Sequence, residues 1–178
     1  MEEIEIWDGG ALREHGATTV YSAPNQLVRQ KSLTVNKKGK RFFNEALYKG
    51  YLYSFQAAQT IAQPDMESFT LFDSNIIKKE DIIKKLGATF CEYPCPWFEK
   101  QFDEYLAKGV IKKANTIQEL AAAISLDATA LRATVEQYNA YAAQGEDAEF
   151  GRAATSLGAL EKAPFYALQV APFGRAAG

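Results

Sequence analysis

The sequence predicts an α+β domain in which a small mixed or antiparallel sheet packs against helices. Three observations predict this fold class. Alternating and β-branched runs dominate the first third of the chain, runs with helical spacing fill the middle and the second half, and one alternating run, PFYALQVAP, returns near the end. The 178 residues suffice for one hydrophobic core, and no linker or repeat interrupts them, so residues 1–178 are predicted to form a single domain.

The predicted strands are short and bounded by turn residues. IEIW alternates apolar and polar residues and ends at the pair Gly9-Gly10, and SLTVN is followed by KKGKRFF, whose turn centred on Gly39 predicts a hairpin. The remaining candidate strands are ATTVY, SFTLFDS, VIKKA (a strand or an extended link) and PFYALQVAP, which alternates like a half-buried strand.

Three helices are predicted before residue 110. The run EALYKGYLYSFQAAQTIAQ follows Asn44, has an apolar face at helical spacing and ends at Pro64. A second helix covers IIKKEDIIKKLG, which Asp73 or Ser74 can cap, and a short third helix runs from Trp97 to Lys108.

Two further helices carry the clearest local signals. A T-x-x-E capping box opens a predicted helix over Thr116–Ser125, and Asp127 caps a second helix that Gly145 stops. Only a few residues separate the two helices, so we expect a packed pair. The polar run GEDAEFGR then predicts a loop.

Composition excludes several classes of function. The 20 basic and 22 acidic residues give a net charge of -2, so no field of one sign favours nucleic acid or an anionic membrane. No apolar run approaches the length of a membrane span. Cys91 and Cys95 stand in a C-x3-C spacing, but a structural zinc site needs four ligands and His15 is the only histidine. Packed or free thiols are expected, with a local disulfide as the alternative.

A family resemblance is carried by two stretches. They are LTVNKKGKRFFNE, residues 33–45, and ANTIQELAAAISLDATALRATVEQYNAYAAQGEDAEFGR with KAPFYALQVAP, within residues 114–172. Together they resemble the capping domain of the fumarate reductase and succinate dehydrogenase flavoprotein superfamily, which includes urocanate reductases and 3-ketosteroid dehydrogenases. The resemblance implies a lid that closes over substrate while reduced flavin gives a hydride to an activated alkene and the lid side gives a proton.

The resemblance also implies the cofactor and the partners. In that superfamily the capping domain is an insertion in an FAD-binding domain that carries the G-x-G-x-x-G fingerprint, and this chain contains no such run. We therefore expect FAD to be bound mainly by the parent's own FAD-binding domain. The other implied partners are a small-molecule substrate and an electron donor that the sequence does not identify. The N-terminal run MEEIEIWDGG has no signal-like segment, and the resemblance implies a cytoplasmic or periplasmic bacterial parent.

The resemblance places the proton donor shortly after the motif R-F-x-N-E. Four residues after its glutamate the fumarate reductases have an arginine that acts as the acid, and here that position is Lys49, next to Tyr48. A lysine lacks the planar fork of a guanidinium, and a tyrosine donor would suit a steroid-like relative, so both remain candidates. Both also fit an ordinary amphipathic helix, with Tyr48 partly packed and Lys49 solvated. Arg41, Asn44 and Glu45 are expected to hold the hairpin against the helix.

The same comparison nominates three substrate-binding residues. Arg29 matches the arginine of a family T-E-x-x-R relay, although Gln26 replaces its acid. Arg175, in VAPFGRAAG, takes roughly the place of a family histidine and would clamp a carboxylate, and His15 lies near a second family histidine. A surface charge, a chain end and a turn residue are the ordinary alternatives for Arg29, Arg175 and His15. At the level of the whole chain, the alternative to an enzyme lid is a non-catalytic module that binds a small molecule or a partner protein.

Overall fold

The fold was analysed in a computed structural model, which describes residues 4–10, 31–47, 58–75, 103 and 106–176, with the backbone alone for 4–10 and 171–176. The described residues form a five-stranded antiparallel sheet and two α-helices. The strands are β1 (Ile4–Gly10), β2 (Leu33–Asn36), β3 (Ser68–Asp73), β4 (Ile111–Ala114) and β5 (Phe165–Ala176), and the helices are α1 (Ile117–Ala123) and α2 (Ala128–Gln144). The predicted α+β class is confirmed.

The last strand organises the sheet. The first half of β5 pairs with β3, from Phe165 opposite Asp73 to Val170 opposite Ser68, and also with β4. Its second half pairs with β1, in a register that places Ala176 opposite Ile4. β2 pairs with the free side of β3. The strand was predicted to be half-buried, but the residues from Phe165 to Leu168 are all buried, because a central strand is covered on both faces.

The hydrophobic core lies between one face of the sheet and the two helices. Registered neighbours such as Leu33 and Leu71 present their side chains to the same face, and both are fully buried. The helices contribute Leu120, Ala121, Leu131, Val135 and Tyr138, and the sheet contributes Leu33, Val35, Phe69, Leu71, Phe165 and Ala167. Burying a side chain of leucine size stabilises the fold by about 1.5–3 kcal/mol, so this layer holds the domain together.

Local capping explains why α1 and α2 begin and end where they do. Thr116 Oγ1 accepts the Glu119 amide at 3.1 Å while Glu119 Oε2 accepts the Thr116 amide at 3.1 Å, which completes the predicted capping box. Asp127 Oδ1 accepts the Ala130 amide at 2.6 Å, and Gly145 ends α2 with a φ of 73°. Both predicted helices and the packed pair are confirmed.

The predicted hairpin at Gly39 is wrong beyond its turn. Gly39 donates to the Asn36 carbonyl at 2.9 Å and Asn36 donates to the Lys40 carbonyl at 2.9 Å, so the turn forms. The residues after Lys40 do not return as a strand, and β2 pairs with β3 instead. The physical reason is that the side chains of Arg41 and Glu45 are held in a buried cluster, which draws the chain away from β2.

The helix predicted after Asn44 is described only at its ends. Glu45 and Ala46 form a turn, in which Asn44 Oδ1 accepts the Ala46 amide at 2.9 Å, so Glu45 does not lie in a first helical turn. Residues 58–61 are helical and stop before Pro64, as predicted. The runs predicted at 17–21 and 76–87 lie outside the described residues, as does most of the helix predicted at 97–108. Among the described residues, no helix combines the length and apolar character that crossing a bilayer requires.

Candidate functional site

None of the predicted site residues has a described side chain. Tyr48, Lys49, Arg29 and His15 lie outside the described residues, and Arg175 is described by its backbone alone, opposite Glu5 in the β1–β5 pairing. Two described segments flank them. Residues 31–34 begin two residues after Arg29, and residues 41–47 end one residue before Tyr48.

A buried charge cluster joins these two segments. We use that name for Arg41, Glu45, Asp147 and Arg152, whose side chains are at most 1% exposed. Arg41 and Glu45 belong to the G-K-R-F-F-N-E run, whereas Asp147 and Arg152 come from the loop after α2. Two cations and two anions balance in the cluster, which is the condition under which charges are tolerated in an interior.

Arg41 occupies the centre of the cluster. Its Nε and Nη2 atoms donate to the two carboxylate oxygens of Glu45 at 3.1 and 2.9 Å, and Nη1 and Nη2 donate to those of Asp147 at 3.1 and 2.8 Å. Nη1 also reaches Glu149 Oε2 at 3.5 Å. All five guanidinium N–H groups therefore have carboxylate acceptors, a pattern that a lysine ammonium cannot reproduce.

Glu45 and Arg152 connect the cluster to the backbone of β2. Glu45 Oε1 accepts the Thr34 amide at 3.2 Å, and Glu45 Oε2 accepts a hydrogen bond from Arg152 Nη1 at 3.2 Å. The same Arg152 nitrogen donates to the Ser32 carbonyl at 2.6 Å. The backbone at the start of β2 is thus held by Glu45 and Arg152.

Aromatic rings cover the two guanidinium groups. The Arg41 guanidinium carbon lies 4.9 Å from the centre of the Phe150 ring and 5.2 Å from that of Tyr138, and Arg152 lies 5.8 Å from Tyr138. Tyr138 Oη donates to the carbonyls of Lys31 and Ser32 at 3.2 and 3.4 Å. Burial raises the pKa of Tyr138 to about 12, so the hydroxyl remains a donor at neutral pH.

The electrostatics favour the ionised form of Asp147. Burial alone would raise the pKa of this carboxyl, but the hydrogen bonds and charge of Arg41 outweigh burial and lower it to about 2. The amides of Glu149, Phe150 and Arg152 also donate to Asp147, at 3.1, 3.3 and 3.2 Å. The carboxylates in turn hold the pKa of Arg41 above its usual value despite burial.

Sequence reasoning missed Asp147 and Arg152. The run GEDAEFGR predicts a polar loop, and polar loops are usually solvated. Yet Asp147 and Arg152, counted as whole residues with their backbone, are only 4% and 2% exposed. The available signal was an aspartate two residues after a helix-ending glycine, where its carboxylate can accept several loop amides. The expectation that Arg41, Asn44 and Glu45 hold a hairpin against a helix is wrong. They bind the loop after α2, with Asn44 Nδ2 donating to the Phe150 carbonyl at 3.0 Å, and do not hold a hairpin.

The comparisons with known proteins support the flavoprotein superfamily. Residues 5–174 match the model of the FAD binding domain family FAD_binding_2. The chain belongs to this family. FAD is therefore the cofactor of the enzymes to which this chain is related, and those enzymes are oxidoreductases.

Two relatives of this FAD binding family member are named for fumarate and for 4-oxocyclohexanecarboxylate. The chain is 30% identical to the NADH:fumarate oxidoreductase of Klebsiella pneumoniae (strain 342), over 79% of this chain and 13% of that protein. It is 32% identical to the 4-oxocyclohexanecarboxylate 2-dehydrogenase of Sinomonas cyclohexanicum, over 78% of this chain and 25% of that protein. The chain thus spans a quarter or less of the length of these relatives.

Solved structures share the fold of this family member. The open conformation of a flavocytochrome c3 fumarate reductase matches with a TM-score of 0.70 and 20% identity, over 97% of this chain and 27% of that one. The solution structure of a fumarate reductase flavoprotein subunit from Lactobacillus plantarum matches with a TM-score of 0.65 and 24% identity, over 90% of this chain and 95% of that one.

The described residues do not fit the pyrophosphate of FAD. Such a group binds glycine-rich turns and free amides at a helix N-terminus. At the start of α1, Thr116 accepts the Glu119 amide while the Glu119 carboxylate lies against the Thr116 amide, and α2 starts with the Asp127 carboxylate; both carboxylates would repel a phosphate. No group of three metal-ligating side chains occurs in the described ranges either.

Proposed function

We propose that this chain is the substrate-capping domain of an FAD-dependent oxidoreductase that reduces, or forms, an activated C=C bond in a small acid or ketone. The observation that carries the proposal is the antiparallel pairing of β1 with the end of β5, which sets Ile4 beside Ala176. An inserted lid must leave and re-enter its host at neighbouring points, and this two-stranded ribbon provides them. The FAD that serves the reaction is bound by the host domain.

The names of the relatives support the substrate class. One pairs oxidoreductase activity with fumarate and another pairs dehydrogenase activity with an oxocyclohexanecarboxylate. Both are small carboxylates, and the second also carries a ketone. In this proposal Arg29, Arg175 and His15 bind the polar groups of the substrate, with the arginines as carboxylate clamps.

The proton is supplied by Lys49, or by Tyr48 in its place. Both follow within four residues of Glu45, which is fixed by hydrogen bonds to Arg41, Arg152 and the Thr34 amide. Enclosed with substrate and away from water, a lysine ammonium would have a lowered pKa and could act as a general acid.

The test uses the full-length parent enzyme. Lys49→Met should lower kcat by about 10²–10⁴-fold with a smaller effect on KM, because proton transfer accompanies the chemical step. Tyr48→Phe tests the alternative donor, and Lys113→Met is a matched control at an exposed lysine of β4. If both Lys49→Met and Tyr48→Phe keep wild-type turnover, the proton comes from elsewhere, and Arg29 is the next residue to replace.

A second test concerns the cofactor. The 178-residue chain should not bind FAD tightly in a calorimetric or fluorescence titration, because it contains no G-x-G-x-x-G run to hold the pyrophosphate. Stoichiometric, tight binding would place the flavin site in this chain and would overturn its assignment as a lid.

A further inference from the structure

The buried charge cluster binds both chain segments that lead to the proposed site. On one side, Tyr138 Oη and Arg152 Nη1 hold the Lys31 and Ser32 carbonyls, two and three residues after Arg29. On the other side, Arg41 and Glu45 fix the turn that leads to Tyr48 and Lys49. We infer that the cluster is a positioning device for the substrate site, in which Arg41 is the positioning residue and Asp147 orients Arg41. The inference rests on the proposed function of Arg29 and Lys49.

Glu45 makes hydrogen bonds to both segments. One carboxylate oxygen accepts the Thr34 amide at the start of β2, and the other accepts hydrogen bonds from Arg41 and Arg152 at 2.9 and 3.2 Å. Glu45 lies four residues before Lys49, so only three residues separate it from the proposed donor. Arg41 holds this carboxylate with a two-point fork, which fixes orientation as well as distance.

The turn after Glu45 is tied to the same loop that supplies Asp147. Asn44 Nδ2 donates to the Phe150 carbonyl at 3.0 Å, while the Ala46 and Leu47 amides donate to Asn44 Oδ1 and to the Asn44 carbonyl at 2.9 and 3.2 Å. Leu47 itself is 50% exposed, so apolar burial does not hold this point. Its position depends on the hydrogen bonds that lead back to the cluster.

Backbone strain next to Arg29 supports the same role. Lys31 has a φ of 72°, a left-handed conformation that is costly for a residue with a side chain. Tyr138 Oη holds its carbonyl, and Gly158 leaves room for its side chain, since a Cβ at Gly158 would lie 2.5 Å from Lys31 Cβ. The fold therefore fixes a strained residue two positions from a proposed substrate ligand.

The main test is a double-mutant cycle in the full-length enzyme. Arg41→Lys keeps the charge but cannot bridge both carboxylates, and it should lower kcat at least tenfold with little change in KM. In the background of Lys49→Met the same substitution should lower kcat less than threefold, because the group that it positions is gone. Leu126→Ala is the matched control, since Leu126 is a buried core residue that takes no part in the cluster's hydrogen bonds, and it should leave kcat within twofold. Equal effects of Arg41→Lys in both backgrounds, or a kcat loss with Leu126→Ala as large as with Arg41→Lys, would overturn the inference.

A conservative variant tests the other side of the cluster. Tyr138→Phe keeps the ring beneath the guanidinium groups and removes the hydroxyl, which bonds to the carbonyls of residues 31 and 32 and to the backbone of Gly158. It should raise KM several-fold and leave kcat near wild type, because Arg29 is proposed to bind substrate and not to transfer the proton. Tyr138→Phe decides the question if Arg41→Lys does not fold, and an unchanged KM would count against the positioning role.

A readout without catalysis separates this inference from the proposed function. In the 178-residue chain, Arg41→Lys should accelerate amide hydrogen exchange at Ala46 and Leu47 at least tenfold more than Leu126→Ala does. If Lys49→Met and Tyr48→Phe are both active while exchange accelerates as stated, the proton-donor assignment is wrong and the positioning of the turn stands. If exchange is unchanged, the cluster does not position the turn, whichever residue donates the proton.

Discussion

Asp147 contributes to stability in a way that depends on pH. Its carboxylate binds Arg41 through two hydrogen bonds and accepts three loop amides, and its pKa is lowered from 3.8 to about 2. Because the folded protein binds this proton less readily than the unfolded chain, the contribution is complete above about pH 5 and is lost as the pH falls toward the folded pKa. The perturbation is Asp147→Asn, which keeps the shape and removes the titration.

The magnitude follows from the shift in pKa. Lowering the pKa from 3.8 to about 2 corresponds to about 2 kcal/mol at neutral pH. By the same linkage relation, most of this contribution remains at pH 4 and roughly half of it remains at pH 3. At neutral pH the total cost of Asp147→Asn should be larger, about 3–5 kcal/mol, since Arg41 is left buried with one carboxylate partner fewer.

Urea unfolding followed by circular dichroism measures this contribution. The difference in the free energy of unfolding between the wild-type chain and Asp147→Asn should shrink by about 1 kcal/mol between pH 6 and pH 3. Glu146→Gln removes the neighbouring, exposed carboxylate and should change the free energy of unfolding at pH 7 by less than about 0.5 kcal/mol. A difference between wild type and Asp147→Asn that stays constant from pH 6 to pH 3 would refute the reasoning.

Two further substitutions test the turns and caps. Gly39→Ala should lower the free energy of unfolding by at least about 1 kcal/mol more than Gly151→Ala does. Both glycines have a positive φ, but a Cβ at Gly39 would lie 3.2 Å from the Leu131 amide nitrogen, whereas nothing lies within 4 Å of a Cβ at Gly151. Equal losses of stability in thermal unfolding would contradict this. Thr116→Ala should lower the free energy of unfolding by about 1 kcal/mol, since it removes the acceptor for the Glu119 amide, and a change near zero in urea titrations would show that the capping box is not needed.

The parts of the fold that local sequence determines were predictable. The capping box at Thr116, the cap at Asp127 and the glycine at 145 each act within a few residues of their own position, so the bounds of α1 and α2 could be inferred from the chain alone. β2 and β3 were also identified, because their apolar alternation is a property of each strand.

The parts that depend on distant partners were not predictable. Arg41 and Asp147 are 106 residues apart in the sequence, and neither has a neighbour in the chain that signals the pairing. The central place of β5 has the same origin, since its flanking strands β3 and β4 lie far upstream and both of its faces are covered only in the assembled sheet. The hairpin prediction was wrong after Lys40 for the same reason. Arg41 and Asn44 bind the loop after α2, which is more than 100 residues away in the sequence.

The pairing of β1 with the end of β5 also determines how the domain responds to mechanical force. Ile4 lies opposite Ala176, so a force that separates the two chain ends acts across the strands and opens the ribbon one hydrogen-bonded pair at a time. The opening reaches the register irregularity between Asp8 and Gly10 before any load passes to the part of β5 that lies in the core. Tension at the chain ends should therefore separate β1 from β5 first. The helices and the rest of the sheet should stay folded until these two strands have separated.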